Sequence, residues 1–189
     1  ADGDGEGRGG VCLVFPLMKG GSVEDRLFPP PERQPQPPPL RWQERLHISV
    51  SVAKALLYLH TPDPAVHKPE IWHRDLKPAN VLLDADGHVR VADVGLARMQ
   101  RNNATHMTMT QVAGTNGFLD PHYMQTGHYN ALSDAFSLGV TMLMLLTGWK
   151  AFERGETIED RCEGKEATEV ADRAAGWPGD VAGGVVRGG

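Results

Sequence analysis

The chain has 189 residues, which is enough for one domain with a hydrophobic core and too few for several. Its net charge of −5 argues against a nucleic-acid-binding surface. Two cysteines, Cys12 and Cys162, cannot form a disulfide framework, so a reducing compartment is expected. The longest apolar run, at 138–146, is shorter than the roughly 18–20 residues that cross a bilayer, so no membrane segment is predicted in this chain.

The first elements of the chain are a polar tail, a short strand and a capped helix. Residues 1–10 are rich in Gly and charge, have nothing to bury and are predicted to be disordered. The β-branched and aromatic run at 11–15 predicts a strand. Ser22, followed three residues later by Asp25, is typical of the start of a helix.

A Pro-rich insert and a long helix follow. Residues 29–39, PPPERQPQPPP, favour extended polyproline structure and could dock an SH3-type or WW-type partner, although a lengthened loop between two helices is the favoured interpretation. Apolar residues near a period of 3.6 then predict a core helix over 41–60. The predicted buried face consists of Trp42, Leu46, Val50, Ala53 and Leu57, widened by Leu56 and Leu59.

The most informative stretch is 73–80, which reads HRDLKPAN, followed by Asp-Val-Gly at 93–95. The two strand patterns between them flank an Asp-Gly turn at 86–87 and predict a hairpin. Together these motifs resemble the catalytic loop and the metal-binding turn of the eukaryotic protein kinases. Lys77 stands where tyrosine kinases usually carry Ala, so the resemblance is to the serine/threonine type.

The chemistry of phosphoryl transfer explains why these residue types occur together, since it needs positioning and charge neutralisation. Asp75 would orient or accept the proton of a substrate hydroxyl, and Lys77 would reach the γ-phosphate of ATP. Asn80 and Asp93 offer oxygen ligands for Mg²⁺. The alternative is that the loop persists only as a folding element in a chain that does not catalyse.

The run CLVFPLMKGGSVEDRL at 12–27 resembles the hinge of the Pelle/interleukin-1-receptor-associated and plant receptor-like kinases. By that resemblance Phe15 is the gatekeeper, and the carbonyl of Pro16 and the N–H of Met18 pair with adenine. Ser22 would touch the ribose, and Leu82 would form the apolar floor below adenine. Ordinary strand, cap and core packing is the alternative for each of these residues.

Residues 96–123 resemble an activation segment. The resemblance implies phosphorylation at Thr105, Thr108 and Thr110, with Arg74 as the receiver of the phosphate, and a hydrogen bond from Thr115 near Asp75 and Lys77. A merely polar loop is the alternative.

Two residues of this region depart from the family pattern. Val94 replaces the usual Phe between Asp93 and Gly95, and His122 replaces a Glu that would pair with a distant Arg.

Residues 133–148 begin with Ser-Asp, continue as an apolar helix and end at Gly148. They resemble the central helix of the kinase large lobe, in which Asp134 braces the catalytic loop; a simple N-cap is the alternative role. Beyond 150 the pattern fades, so the partial kinase domain is assigned to 11–150 and residues 151–189 to a degenerate or poorly ordered continuation.

These features predict an α+β, protein-kinase-like fold, with a mainly helical large lobe, short hairpins and no small lobe. The expected function is that of an ATP- and Mg²⁺-dependent serine/threonine kinase acting on a protein substrate, located in the cytoplasm or on the cytoplasmic side of a membrane receptor. The sequence starts without Met and the resemblance starts at the hinge, so a fragment that is inactive by itself is expected. A pseudokinase-like binding scaffold and a fragment without function are the alternatives.

Overall fold

The structure is a computed structural model that describes residues 12, 14–93, 98–99, 107–108 and 112–178, with only the backbone described at 98–99 and 107–108. The described part of the chain is mainly helical and carries short antiparallel strands, as the α+β prediction expects. Its α-helices are α1 Val23–Leu27, α2 Trp42–His60, α3 Pro121–Thr126, α4 Ala131–Thr147, α5 Ile158–Cys162 and α6 Ala167–Val170. No helix in these ranges is both long enough and apolar enough to span a bilayer.

The strands form small antiparallel sheets around the helices. They are β1 Gly21–Ser22, β2 Ile71–Trp72, β3 Val81–Leu83, β4 Val89–Val91, β5 Arg98–Met99, β6 Met107–Thr108, β7 His128–Tyr129, β8 Phe152–Glu153 and β9 Glu156–Thr157. One sheet has the order β1-β3-β4, and the other strands pair as β2 with β5, β6 with β7, and β8 with β9. The predicted hairpin is β3–β4, in which Val81 lies opposite Val91.

Helix α2, Trp42–His60, agrees with the predicted range to within one residue, but most of the predicted buried face is exposed. Ile48, Val52 and Leu56 are buried, whereas Leu46, Val50 and Leu57 are 42, 52 and 67% exposed. The apolar spacing marks two neighbouring faces of the helix, and contacts from α4 and the β3–β4 hairpin cover the face that also carries Arg45 and Ser49. Tertiary packing, rather than periodicity, therefore decides which face is buried.

Helix α4 starts two residues earlier than the Ser-Asp pattern suggested. Asn130 is the N-cap, because its side chain accepts a hydrogen bond from the N–H of Leu132. Ser133 and Asp134 lie inside the first turn and are fully buried. The helix ends where predicted, at Gly148, whose φ of 69° favours glycine.

The stretch predicted as the first strand is not a strand in its described part. Cys12 and residues 14–18 have no regular structure, and Val14, Phe15 and Leu17 are 91, 76 and 84% exposed. No described strand pairs with them, and backbone groups need a partner to form a sheet. The predicted helix start is confirmed, because Ser22 and Asp25 cap α1 with reciprocal hydrogen bonds.

The Pro-rich insert at 29–39 folds back on itself and is not an extended polyproline segment. The N–H of Arg33 donates to the carbonyl of Pro30 at 3.0 Å, and the Gln36 amide donates to the same carbonyl at 3.0 Å. Leu40, the residue directly after the insert, is buried and anchors it to the core. The side-chain amides form hydrogen bonds within the insert, which an extended polyproline segment would not contain.

Residues 151–178, predicted as a degenerate continuation, form regular elements that pack on the core. They contain β8, β9, α5, α6 and a 3₁₀ turn at Arg173–Ala175, and Ile158, Val170 and Ala175 are buried. Each element is too short to show a periodicity of its own, which is why the sequence pattern seemed to fade.

Arg45 joins this last part of the chain to the middle. Its guanidinium donates to the carbonyl of Leu40 at 2.9 Å, to the carbonyl of Leu145 at 2.8 Å and to Asp172 at 2.5 Å. The Arg45 side chain is buried, so it depends on these three acceptors. It links α2, the end of α4 and the segment that follows α6.

We expect Arg45→Leu to lower the free energy of unfolding by about 3 kcal/mol, since it leaves Asp172 without its partner and two carbonyls without a donor. This is the low end of the range for breaking a buried pair, because the Asp172 side chain keeps 22% exposure. Urea unfolding followed by circular dichroism measures the change. Arg90→Leu, at an exposed arginine, should change the value by less than about 0.5 kcal/mol, and equal losses in the two variants would contradict the role given to Arg45.

Candidate active site

The predicted catalytic loop lies between β2 and β3 and is held by Asp134 of α4. The N–H groups of His73 and Arg74 donate to the two carboxylate oxygens of Asp134 at 2.8 and 2.9 Å. These bonds hold Arg74 at a φ of 72°, a left-handed conformation that is rare for a residue with a side chain. The role predicted for Asp134 by resemblance, bracing the loop backbone, matches this geometry.

Two further side chains complete the environment of Asp134, and sequence reasoning missed both. The hydroxyl of Tyr129 donates to Asp134 Oδ1 at 2.5 Å, and His60 Nε2 lies 2.8 Å from Asp134 Oδ2. His60 is the last residue of α2, and Tyr129 lies in β7 against Trp72 and Tyr123. No local motif connects them, since their positions converge only when α2, β7 and α4 pack together.

Asp134 remains a carboxylate despite its burial. Burial alone raises the pKa of Asp134, but hydrogen bonds from His60, Tyr129 and the backbone of Arg74 and His73 outweigh it and bring the pKa below its usual value. Burial, together with the charge of the same carboxylate, raises the pKa of the Tyr129 hydroxyl, which stays protonated and donates.

Asp75, Lys77 and Thr115 form a closed set of hydrogen bonds. Lys77 Nζ lies 2.7 Å from Asp75 Oδ2 and 2.7 Å from Thr115 Oγ1. The Thr115 hydroxyl donates to Asp75 Oδ1 at 2.6 Å, so each carboxylate oxygen of Asp75 has a donor. The structure therefore brings together three residues that the sequence separates by up to 40 positions.

Asp75 is half-buried and ionised. Burial raises the pKa of Asp75, but the hydrogen bonds from Lys77 and Thr115, the positive charge of Lys77 and the Asn80 amide lower it more, and the net pKa lies below the usual range. Asp75 can therefore orient a hydroxyl group at neutral pH, although its low basicity makes it a weak proton acceptor.

Asn80 and Asp93 lie close together through the backbone of Ala92. The N–H of Ala92 donates to the carbonyl of Asn80 at 2.8 Å, and the carbonyl of Ala92 lies 3.0 Å from His73 Nε2. The Asn80 amide nitrogen donates to the carbonyl of Asp75 at 2.8 Å, which leaves its oxygen without a hydrogen bond among the described residues. Asp93 is exposed, has a φ of 60°, and its carboxylate pairs with no described group. These two oxygen donors suit Mg²⁺.

Two of the residues predicted to contact the nucleotide, Ser22 and Leu82, lie in strands β1 and β3 next to this loop. Ser22 pairs with Leu82 in the sheet, and the N–H of Gly20 donates to the carbonyl of Leu83 at 2.9 Å. A Cβ at position 20 would lie 2.7 Å from the backbone oxygen of Asp84, so this approach requires glycine. Phe15 and Pro16 are exposed, Met18 is half-exposed, and the Ser22 hydroxyl is engaged in capping α1.

The predicted phosphorylation sites fall mostly outside the described residues. Thr105 and Thr110 lie outside them, and only the backbone of Thr108 is described, opposite His128 in the β6–β7 pair. Val94, the first departure from the family pattern, also lies outside the described residues. Arg74 is buried, and its guanidinium lies 5.7 Å from the centre of the Tyr129 ring. The role of Arg74 as a phosphate receiver therefore stays a prediction.

His122, the second departure from the family pattern, is exposed on α3. The neighbouring carboxylate belongs to Asp120, which caps α3 through the N–H of His122 and accepts a hydrogen bond from the Ser133 hydroxyl at 2.8 Å. Asp120 therefore ties α3 to α4.

We expect Asp134→Asn to lower the free energy of unfolding by about 3 kcal/mol or more, since the amide turns an N–H₂ group towards buried donors. Tyr129→Phe removes one donor and should lower it by about 1–2 kcal/mol. Chemical unfolding of both variants, beside the exposed control Asp86→Asn, measures these losses. An Asp134 variant as stable as the Asp86 variant would show that the carboxylate does not organise the loop.

The loss of folding stability at acid pH should depend on the carboxylates of Asp75 and Asp134. A lowered pKa in the folded state stabilises the protein above the unfolded pKa of about 3.9, and this stabilisation is lost as the pH falls below it towards the folded pKa. We therefore expect the stability difference between wild type and Asp134→Asn to shrink as the pH is lowered from 7 to 3. A difference that stays constant over this range would contradict the low pKa of Asp134.

Comparisons with known proteins identify the family of the chain. The protein kinase domain matches residues 6–177. U-box domain-containing protein 51 of Arabidopsis thaliana is 41% identical over 175 residues, which is 88% of this chain and 22% of that protein. A probable receptor-like protein kinase of the same plant is 44% identical over 141 residues, 75% of this chain and 21% of that protein. The chain thus spans about a fifth of the length of the curated relatives it matches.

The predicted family, the kinase fold and the likeness to receptor-like kinases are confirmed by these matches. The family consists of protein kinases, transferases that generally use ATP and Mg²⁺ and act on proteins. With residues 6–177 matched and relatives above 40% identical, this chain belongs to the protein kinase domain family.

Proposed function

We propose that this chain supplies the catalytic loop and metal ligands of a protein serine/threonine kinase, which transfers the γ-phosphoryl group of ATP to a protein hydroxyl. The observation that carries the proposal is the Asp75–Lys77–Thr115 set. It shows that a hydroxyl group can lie 2.6 Å from the Asp75 carboxylate and 2.7 Å from the Lys77 ammonium group at the same time.

Each residue has a separate task in this proposal. Asp75 orients the substrate hydroxyl in line with the phosphorus, and Lys77 neutralises charge on the transferred group. Asn80 and Asp93 would hold Mg²⁺, which neutralises phosphate charge when bound. Thr115 forms hydrogen bonds with Lys77 and Asp75 and so holds these two side chains in position. Asp134 fixes the loop backbone that carries both.

The nucleotide part of the proposal rests on the resemblance and on the β1–β3 pairing. Leu82 and Ser22 lie opposite each other, so a base resting on Leu82 would have its ribose near Ser22. Pro16 and Met18 are accessible enough for their backbone groups to pair with adenine, and Phe15 would border the base. We also propose a cytoplasmic location, which the free cysteines Cys12 and Cys162 and the use of ATP support.

Two alternatives follow from other observations. The departures at Val94 and His122 favour a binding scaffold, but the joint presence of Asp75, Lys77, Asn80 and Asp93 favours an enzyme. A partner with an SH3-type or WW-type groove at the Pro-rich insert is a separate proposal, supported only by the composition of residues 29–39.

We expect the isolated 189-residue polypeptide to show no measurable phosphate transfer, because it contains no Val-Ala-Ile-Lys strand and no Glu partner for such a lysine. Fusing the small lobe of the matched receptor-like kinase ahead of Val11 should restore transfer from labelled ATP to a generic protein substrate. In this chimera Asp75→Asn should lower kcat by about 10²–10⁴-fold, and the exposed control Asp86→Asn should leave it unchanged.

Two results would contradict the proposal. A folded chimera that binds ATP but transfers no phosphate would favour the scaffold. Transfer that survives Asp75→Asn at full rate would remove this residue from the site.

A further inference from the structure

Three cationic side chains lie over two aromatic rings at the surface of the chain. Arg161 Cζ lies 4.5 Å and Lys165 Nζ lies 5.6 Å from the centre of the Trp149 ring. Lys150 Nζ lies 6.0 Å from the centre of the Phe28 ring. The Arg161 guanidinium also donates to the carbonyl of Lys150 at 3.4 Å, and both rings pack against one core cluster. These five residues therefore form one basic and aromatic group, called here the Trp149 cluster.

The Trp149 cluster lies beside the site that receives a hydroxyl group in the proposed function. A Cβ at Gly117, two residues after Thr115, would lie 3.1 Å from the Cβ of the residue that follows Lys150. From the length of each peptide unit, Lys150 lies within about 15 Å of Thr115. Phe28 directly follows α1, and α1 packs against Pro78–Asn80 of the catalytic loop. A protein chain that presents a hydroxyl group to Asp75 would therefore pass close to the cluster.

The positive charge of the Trp149 cluster is largely available to a ligand. Lys150 is exposed, and its ammonium group forms no hydrogen bond or ion pair with a described residue. Lys165 is exposed and donates to the carbonyl of Arg161, but it has no ion pair with a described carboxylate. Arg161 pairs with Glu153 at 3.7 Å, and the Glu153 side chain is 45% exposed, so this pair contributes little.

We propose that the Trp149 cluster selects substrate proteins that carry Asp or Glu about three to five positions from the phosphorylated Ser or Thr. An extended chain advances about 3.3 Å per residue, so a carboxylate at this separation from the acceptor reaches Lys150. A basic residue at the same position would meet like charges, which disfavours binding. The inference rests on the proposed kinase function, because it names the substrate class of that site.

The first test measures binding, which does not require phosphate transfer. Two fluorescein-labelled peptides of about 13 residues share a central Ser in an Ala- and Gly-rich chain. One peptide carries Glu at the fourth position on each side of the Ser, and the other carries Gln at both positions. Fluorescence anisotropy with the 189-residue chain at low ionic strength should show about fivefold tighter binding of the Glu peptide, and added salt should remove the preference.

Variants of the chain assign this preference to Lys150. Lys150→Glu should reverse it, so that the Gln peptide binds more tightly, because the variant places a negative charge where the peptide carboxylate would lie. Lys54→Glu, at an exposed lysine of α2 outside the Trp149 cluster, changes the net charge by the same amount and should keep the preference. Circular dichroism confirms that both variants are folded.

The kinase chimera provides a second measurement, in which the Glu peptide should have about fivefold higher kcat/KM than the Gln peptide. Equal affinity of the two peptides for the 189-residue chain, binding of neither, or a Glu preference that survives Lys150→Glu would overturn the inference. Phosphate transfer with equal kcat/KM for both peptides would also overturn it, and would leave the kinase function standing. A Glu preference in binding without any phosphate transfer by the chimera would instead contradict the kinase function.

Discussion

The buried carboxylate of Asp134 is the interaction on which the site depends. It accepts hydrogen bonds from two consecutive backbone N–H groups of the catalytic loop, at His73 and Arg74, and contacts His60 and Tyr129. The Asp134 carboxylate is therefore the point at which four elements meet: helix α2, the catalytic loop, strand β7 and helix α4. A buried charge tolerates little change in its surroundings, since each lost donor leaves it less compensated. The loop consequently has one backbone conformation that α4 can accept.

Much of the catalytic loop was predictable, because its chemistry is local in sequence. Asp75, Lys77 and Asn80 lie within six residues, and the turn between β3 and β4 returns the chain to Asn80 before Asp93. The partners of Asp134 were not predictable in the same way. His60 and Tyr129 are 74 and 5 residues away from it, and no pattern distinguishes them from ordinary helix-end and strand residues.

Helix α2 illustrates why a predicted helix does not reveal its buried face. The sequence offers one face with Leu46, Val50 and Leu57 and another with Ile48, Val52 and Leu56, and both are apolar. The second face is buried because α4 and the β3–β4 hairpin pack on it, and Arg45 on the same face finds acceptors in Leu145 and Asp172. Residues 151–178 escaped prediction for a related reason, since their short elements gain order from contacts with α4.

The ion pair between Arg45 and Asp172 also affects how the protein folds during its synthesis on the ribosome. The two residues are 127 positions apart, so α2 is synthesised long before the carboxylate that neutralises its buried guanidinium. Until that segment emerges, Arg45 has to remain in water, and α2 cannot settle fully against α4. Helix α2 is therefore expected to close against α4 only after Asp172 has been synthesised, in one late step rather than element by element.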